Sequence, residues 1–279
     1  MAGAGNNGAS ANTAEFATSP ETARAWIERW DAQQQSFLPD REDRFTAIID
    51  AVEEIAGRPD PVVLDLGSGP GSLSVRLLDR LPQATVVAID ADPLTLALGQ
   101  AACSGLTQLS FRDLDLRQSG WSDGLHLERQ PDAAVSTTAL HWLTRTALEA
   151  LYAELASVLR PGGALLNGDH MREDDSVPVL RQVQRSLIER EERRRFPSGH
   201  PETWTDWWAA VAADPALSEL HAQREARRVD SEHHGSPAGF LSVHVGALHA
   251  AGFAEVGTIW QRGENRILCG VLPPSAQRQ

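Results

Sequence analysis

A chain of 279 residues with 42% hydrophobic content can bury one substantial core, or a core plus a small cap, so one main domain is expected. Its formal net charge of −13 argues against a surface that neutralises phosphates, which sets nucleic acid aside and leaves a small molecule as the expected partner. Two cysteines far apart in sequence, Cys103 and Cys269, fit a reducing compartment, and no apolar run approaches the ~20 residues of a membrane helix; a soluble, cytoplasmic protein with no membrane contact is expected.

Residues 1–18 are mostly Gly, Ala, Asn, Ser and Thr and read as a disordered tail. Ser19-Pro-Glu-Thr supplies a cap, a proline at the first helical position and an acid in the first turn of a helix on which Trp26 and Trp30 share a face. After Pro39, Asp40 is placed to cap a second helix, where Phe45, Ile48, Ile49, Val52 and Ile55 recur at helical spacing before Gly57. Residues 19–58 thus read as N-terminal helices, with Trp30 to Arg44 as the segment between them. From 62 to 168, strand and helix signals alternate: strands near 62–66, 85–89, 108–111, 132–136 and 163–167, helices near 72–80, 93–102 and 145–159. That is the pattern of a doubly wound parallel sheet, whose ligands meet the carboxyl ends of the strands.

About 65 residues then separate the fifth strand from a last helix stopped by Gly252, far more than the ~2–6 of a simple connection. They read as a helical cap over 171–235. It begins with a charged helix from Val177 to Arg195 whose apolar side is Val177, Leu180, Val183, Leu187 and Ile188. Next come Trp204, Trp207 and Trp208 on one helical face, expected to anchor the cap, and a helix from Asp214-Pro to about Arg228. The run Arg190 to Arg195 is interleaved with acids and reads as a solvated face. Two terminal strands, 255–260 and 266–272, are too close in sequence to pair other than antiparallel. The α/β core is therefore 59–170 with 236–279: a seven-stranded, mostly parallel sheet with an antiparallel last strand.

The first strand opens the most informative stretch, Val62-Val-Leu-Asp-Leu-Gly-Ser-Gly-Pro-Gly-Ser-Leu73. Gly67, Gly69 and Gly71 remove Cβ atoms where the backbone turns sharply and a ligand comes close, and Asp65 stands two residues before the turn. Ala84-Thr-Val-Val-Ala-Ile-Asp90 ends in an acid 23 residues after Gly67, the spacing of a carboxylate that binds ribose hydroxyls. With these residues the sequence resembles the class I S-adenosylmethionine-dependent methyltransferases. The resemblance continues through Leu109-Ser-Phe-Arg-Asp-Leu-Asp-Leu116, Asp132-Ala-Ala-Val-Ser-Thr-Thr-Ala-Leu-His-Trp142 and Leu159-Arg-Pro-Gly-Gly-Ala-Leu-Leu166. Thr138-Ala-Leu-His-Trp-Leu143 is similar to the matching stretch of small-acid methyltransferases of the trans-aconitate type.

The resemblance implies a Rossmann-like methyltransferase fold, S-adenosylmethionine as cofactor, and methyl transfer to oxygen or nitrogen of a small acceptor, with specialised metabolism as the setting. It also implies that Asp65, Gly67, Ser68, Gly69 and Gly71 cradle the methionine end. Asp90 with Ala91 would hold the ribose, Asp115 and Leu116 the adenine side with Asp113 as rival, and Thr137 would join the cofactor contacts. Methyl transfer is an in-line displacement, so the protein mainly aligns the acceptor and excludes water. A base is needed only where the nucleophile arrives protonated; His141 after the fourth strand and His170 after the fifth are the candidates. Asp169 is placed to orient His170 or to bind a cationic acceptor, and Gln33, Gln34, Arg41 and Trp142 are expected in the acceptor pocket. His233, His234, His244 and His249 form no metal pattern, and no metal is expected. Two other readings stay open: a nicotinamide-dependent oxidoreductase, which leaves the terminal hairpin unexplained and lacks a third pattern glycine because position 72 is Ser, and a cofactor-binding protein with non-methylating chemistry. A homodimer is also left open.

Overall fold

β1 (Val62–Leu66) is buried along its whole length, as a strand covered by helices on both faces must be. In the computed structural model, which describes residues 18–38, 40–199, 201–227 and 239–275, it is an inner strand, third in order, of one seven-stranded sheet. The tail expected over 1–18 lies outside the described residues except for Thr18, as do Pro39, His233, His234, the 228–235 end of the cap, and residues 236–238 and 276–279.

The other strands are β2 (Thr85–Asp90), β3 (Leu109–Asp113), β4 (Ala133–Thr137), β5 (Ala164–His170), β6 (Glu255–Arg262) and β7 (Asn265–Val271), in the order β3-β2-β1-β4-β5-β7-β6. β1 to β5 pair in parallel, and β7 runs antiparallel to both neighbours, as the short connection requires. The helices are α1 (Pro20–Phe37), α2 (Arg41–Ala56), α3 (Ser72–Arg80), α4 (Pro93–Ala102), α5 (Arg145–Val158), α6 (Pro178–Arg195), α7 (Trp204–Ala213), α8 (Ser218–Arg227) and α9 (Leu241–Ala251). Strand alternation divides the core. Leu64, Leu66, Val87, Ile89 and Leu165 face α5 and α9, where Leu148, Tyr152, Leu155 and Leu248 meet them. Val63, Val86, Ala88, Val135 and Leu166 face α2 and α3, against Phe45, Ile48, Val52 and Leu77. From β1 the chain winds outward to β3 and returns to β4 on the other side, so the ligand crevice of such a sheet lies where β1 and β4 end.

The Arg160-Pro-Gly-Gly163 turn closes the opposite end of the sheet. Arg160 Nε donates to Asp132 Oδ1 at 2.7 Å, Arg129 Nη1 to Oδ2 at 2.8 Å, and the Val62 amide to the same Oδ2 at 2.9 Å. One buried carboxylate thereby ties the starts of β1 and β4 together.

Four expectations need correction. α1 runs on to Phe37 because nothing between Trp30 and Phe37 breaks it, so Gln33 and Gln34 belong to its last turns rather than to a loop. Asp40 makes no capping hydrogen bond; Arg195 and Arg262 take its carboxylate. β5 reaches His170 because β7 extends the ladder two residues beyond β4, with Asp169 opposite Arg266 and His170 opposite Asn265. The apolar side of α6 stays exposed, with Leu180, Val183 and Leu187 about half accessible, since the helix is attached through its polar side, Glu191 to Arg262 and Arg195 to Asp40.

The rest of the insertion is docked by aromatic packing. Trp207 is fully buried and meets Trp26, Trp30 and Trp208 edge-on at centroid distances of 5.6, 4.9 and 4.8 Å. With Leu94, Leu98, Val211, Leu217 and Leu220 these rings join α1, α4, α7 and α8. Trp207→Ala should therefore lower stability by about 3–5 kcal/mol in denaturant unfolding, and should open 201–227 to protease before the sheet. A variant as protease-resistant there as the wild type would mean that the insertion docks by other contacts.

Candidate cofactor cleft and active site

A cleft of about 1050 Å³ lies outside the carboxyl ends of β1, β2, β4 and β5, with α1, α7 and α8 contributing its outer walls. Its floor is set by the turn after β1. Gly67 and Ser68 donate their amides to the Ile89 carbonyl at 2.8 and 3.0 Å, which folds the turn over β2. Gly67 has φ +66, and a Cβ there would lie 2.3 Å from Ala139 Cβ, so no side chain fits where β1 and β4 end together. The Gly69 amide donates to Asp90 Oδ2 at 2.7 Å, while Ala91 and Asp92 amides donate to Oδ1 at 2.8 and 2.9 Å. Burial drives the Asp90 carboxyl up to about 6, against the pull of those amides.

Gly67, Ser68, Gly69, Asp90, Ala91, Asp115, Leu116 and Thr137 all line the cleft, together with Ser72 and Leu73. Asp65 and Gly71 do not. Alternation along β1 turns Asp65 away from Leu64 and Leu66 and toward α3, where Ser74 Oγ donates to Oδ2 at 2.6 Å and Oδ1 is left buried without a partner. Gly71 caps α3 with φ +86, and a Cβ there would strike Phe111. Both therefore shape the turn from behind. Asp115 is gripped by Arg117 through two 2.8 Å contacts and falls below the usual carboxylate range. Asp113 turns out of the cleft lining to Arg227 at 2.7 Å. Beside it, Arg224 donates to Asp92 Oδ2 at 2.6 Å and stacks 3.6 Å over Trp208, bringing α8 to the rim near Asp90.

The other end of the cleft holds His141, His170, Gln33, Gln34, Arg41 and Trp142. Asp169, in contrast, is fully buried behind the lining, and it orients His141 rather than His170. Its Oδ1 pairs with His141 Nδ1 at 2.8 Å, and its Oδ2 accepts the His141 amide at 3.1 Å; from His170 it accepts only the backbone amide, at 2.8 Å. Burial alone would raise the Asp169 carboxyl, yet the adjacent imidazole holds it down at about 2. Burial likewise pulls His141 down, and the Asp169 carboxylate more than reverses this, leaving His141 above its ordinary value. On His170 desolvation, aided by the nearby Arg44 and His141 charges, outweighs the upward pull of Asp169 and carries it below. Arg44, inaccessible beneath this end, donates to Asn265 Oδ1 at 2.8 Å and to Thr137 Oγ1, and burial lowers it to about 10. Thr138 sits at φ +50, a costly conformation for a residue with a branched side chain, held by its 2.9 Å amide bond to the Gly168 carbonyl.

Sequence reading missed Trp30, Asp31, Phe37, Arg44, Trp204, Trp208 and Arg224. Arg44 recurs on the apolar face of α2 between Arg41 and Ile48, which was its only signal. Asp31 pairs with Arg41 at 2.9 Å and accepts Ser72 Oγ at 2.6 Å, linking α1, α2 and α3. His244 is buried against Tyr152 at 2.6 Å, and His249 turns to the Phe253 carbonyl at 3.2 Å.

Residues 63–163 match the family model of a methyltransferase domain. A trans-aconitate 2-methyltransferase of Azoarcus sp. (strain BH72) is 32% identical over 136 residues, 49% of this chain and 49% of that protein. Over residues 63–163 the chain carries the methyltransferase domain of the class I S-adenosylmethionine-dependent family. Its cofactor is S-adenosylmethionine. A release factor glutamine methyltransferase of Rhodopirellula baltica is 30% identical over 168 residues, 56% of this chain and 54% of that one. This methyltransferase-family chain thus spans about half the length of the curated relatives it matches, and those relatives are named for different acceptors. An O-methyltransferase family protein from Burkholderia thailandensis shares the fold with a TM-score of 0.54 at 19% identity, over 94% of this chain and 62% of that one. The cleft suits the cofactor where the glycines remove Cβ atoms beside a carboxylate presented by three amides. Among the described residues no helix is long and apolar enough to cross a membrane.

Burial raises Asp65 from 3.8 to about 7, so the folded chain takes up a proton that the unfolded chain releases. Stability from neutral Asp65 is present at low pH and is lost as pH rises from about 4 to 7. Asp65→Asn should remove that slope: its melting temperature should gain on the wild type between pH 5 and pH 7.5, and parallel profiles would refute the assignment.

Proposed function

We propose that the protein transfers a methyl group from S-adenosylmethionine to oxygen or nitrogen of a small molecule, with His141 as general base and Asp169 as its positioning residue. The observation that carries this reading is the 2.8 Å pairing of His141 Nδ1 with buried Asp169 on a residue that lines the cleft. With Nδ1–H donated to Asp169, Nε2 is the ring nitrogen left to take a proton from the acceptor. The raised pKa of His141 makes it a better proton acceptor, while nearby Arg44 limits the rise.

The turn Gly67 to Gly69 would take the methionine end, supported from behind by Asp65 and Gly71. Asp90 and Ala91 would take the ribose, Asp115 and Leu116 the adenine side, and Thr137 the floor between the two ends. Bound there, the cofactor supplies a sulfonium-activated methyl group. Gln34, Arg41, Trp142 and His170 would form the acceptor pocket, with the 19–58 helices and the 171–235 cap enclosing the 59–170 and 236–279 core. A net charge of −13 supports a small acceptor over nucleic acid, and the two free cysteines, Cys103 and Cys269, fit a reducing, cytoplasmic setting, with specialised metabolism as the proposed context.

His141→Gln should lower kcat by the ~10²–10⁴ of general-base loss and leave S-adenosylhomocysteine affinity nearly unchanged. Since the base must be neutral, wild-type activity should fall as pH drops through a His141 pKa above 6.5. Asp169→Asn removes the strongest upward pull, so the acid limb should move to lower pH. Wild-type turnover by His141→Gln across the range would end this reading. Asp90→Ala should weaken S-adenosylhomocysteine binding at least tenfold, ~1.4 kcal/mol by calorimetry; unchanged affinity in a folded variant would displace the ribose assignment.

A further inference from the structure

Every exposed large aromatic side chain among the described residues lines this cleft: Phe37 is 44% accessible, Trp142 41% and Trp204 37%. The exposed large aliphatic side chains, Leu180, Val183, Leu187 and Ile259 among them, all lie elsewhere. The three aromatics come from the end of α1, the short 3-10 turn after β4 and the start of α7, so closeness in sequence does not account for their convergence. Rings left wet in a concave wall gain most from a ligand that covers them with a flat apolar face.

An aromatic wall also suits a cation, so charge decides between the two. At the acceptor end Arg41 is matched by Asp31 and His141 by Asp169, while Arg44, behind Thr137, hydrogen-bonds the neutral side chains of Asn265 and Thr137 and leaves the excess charge positive. The acids nearby are already engaged, Asp31 by Arg41, Arg76 and Ser72, and Asp169 by His141. That balance opposes a cationic ligand and favours one that develops negative charge on oxygen. Trp142 also stands beside the base, its ring centroid 5.2 Å from that of His141.

We infer that the acceptor is a planar hydroxyarene, its ring covered by Trp142 and Trp204 and its hydroxyl set on His141. The inference rests on the methyltransferase reading above and names the substrate class of the same site. A phenolic O–H, with a pKa of about 10, is acidic enough for a histidine to take its proton during the displacement. The O–H bond breaks and the proton passes to His141 Nε2; a C–O bond forms to the methyl carbon; the electron pair of the broken C–S bond stays on sulfur.

The test uses the full chain loaded with S-adenosylhomocysteine, titrated by calorimetry with phenol, 2-naphthol, decahydro-2-naphthol and tricarballylate, alongside methyl transfer from labelled S-adenosylmethionine. 2-Naphthol should bind at least tenfold more tightly than its saturated counterpart and should be methylated. Trp142→Ala should raise KM or Kd for it at least tenfold with S-adenosylhomocysteine affinity unchanged, and Trp142→Phe should recover most of the loss. Trp204→Leu gives an independent second wall. Equal or better binding of decahydro-2-naphthol or tricarballylate, or no binding of either arene to the loaded chain, overturns the inference. Failure of S-adenosylhomocysteine to bind the wild type is a different result: it removes the methyltransferase reading itself and the inference with it.

Discussion

The whole arrangement depends on two backbones meeting where β1 and β4 end. Gly67 and Ala139 come so close that a Cβ on the glycine would lie 2.3 Å from that of the alanine. A wider separation would open the sheet at its switch point; a larger residue would push the turn away from Ile89, whose carbonyl holds it. The contact fixes the Gly67–Gly69 turn on one side and Thr138 with His141 on the other. Both ends of the cleft are therefore referenced to the same point, which is what an in-line transfer between two bound molecules demands.

Buried charge is distributed unevenly around that point. At the β1–β2 end, Asp65 and Asp90 are both raised by burial, and their proximity adds to the effect on Asp65. At the β4–β5 end the signs are mixed, with Asp169 ionised beside His141 and with Arg44 close below. Low dielectric strengthens each of these interactions and makes an unpartnered group expensive. Asp65 Oδ1 and Arg44 Nε are two such groups, lying under the two ends of the cleft.

The insertion completes the cleft by a different kind of force. Edge-to-face indole packing joins α7 to α1, and ion pairs from Arg224 to Asp92 and Arg227 to Asp113 draw α8 toward the ends of β2 and β3. Trp30, Trp204 and Trp208 thus serve twice, as packing between helices and as cleft wall. The reading of the α7 tryptophans as anchors accounts for Trp207 fully and for Trp204 and Trp208 only in part.

Much was legible without a structure because it depends on local periodicity. Buried strands of the Val62–Leu66 kind, the glycine turn, and an acid at the end of the next strand together determine a doubly wound sheet and the end of it that meets a ligand. The brevity of the link between the last two strands determined that they pair antiparallel. What only tertiary structure decided was which side chains face the cleft. Asp65 and Asp169 each stand at a strand end, yet the two-residue alternation turns one toward α3 and the other behind His141, so that the carboxylate nearest His170 in sequence serves a residue 28 positions earlier. Likewise Arg44, Trp30 and Trp204 carry ordinary helical signals, and only the packing of α1, α2 and α7 over the sheet brings them to one site. Periodicity specifies a face of a single element; a site is the meeting of faces from several elements, and that meeting is set by long-range packing that no local pattern encodes.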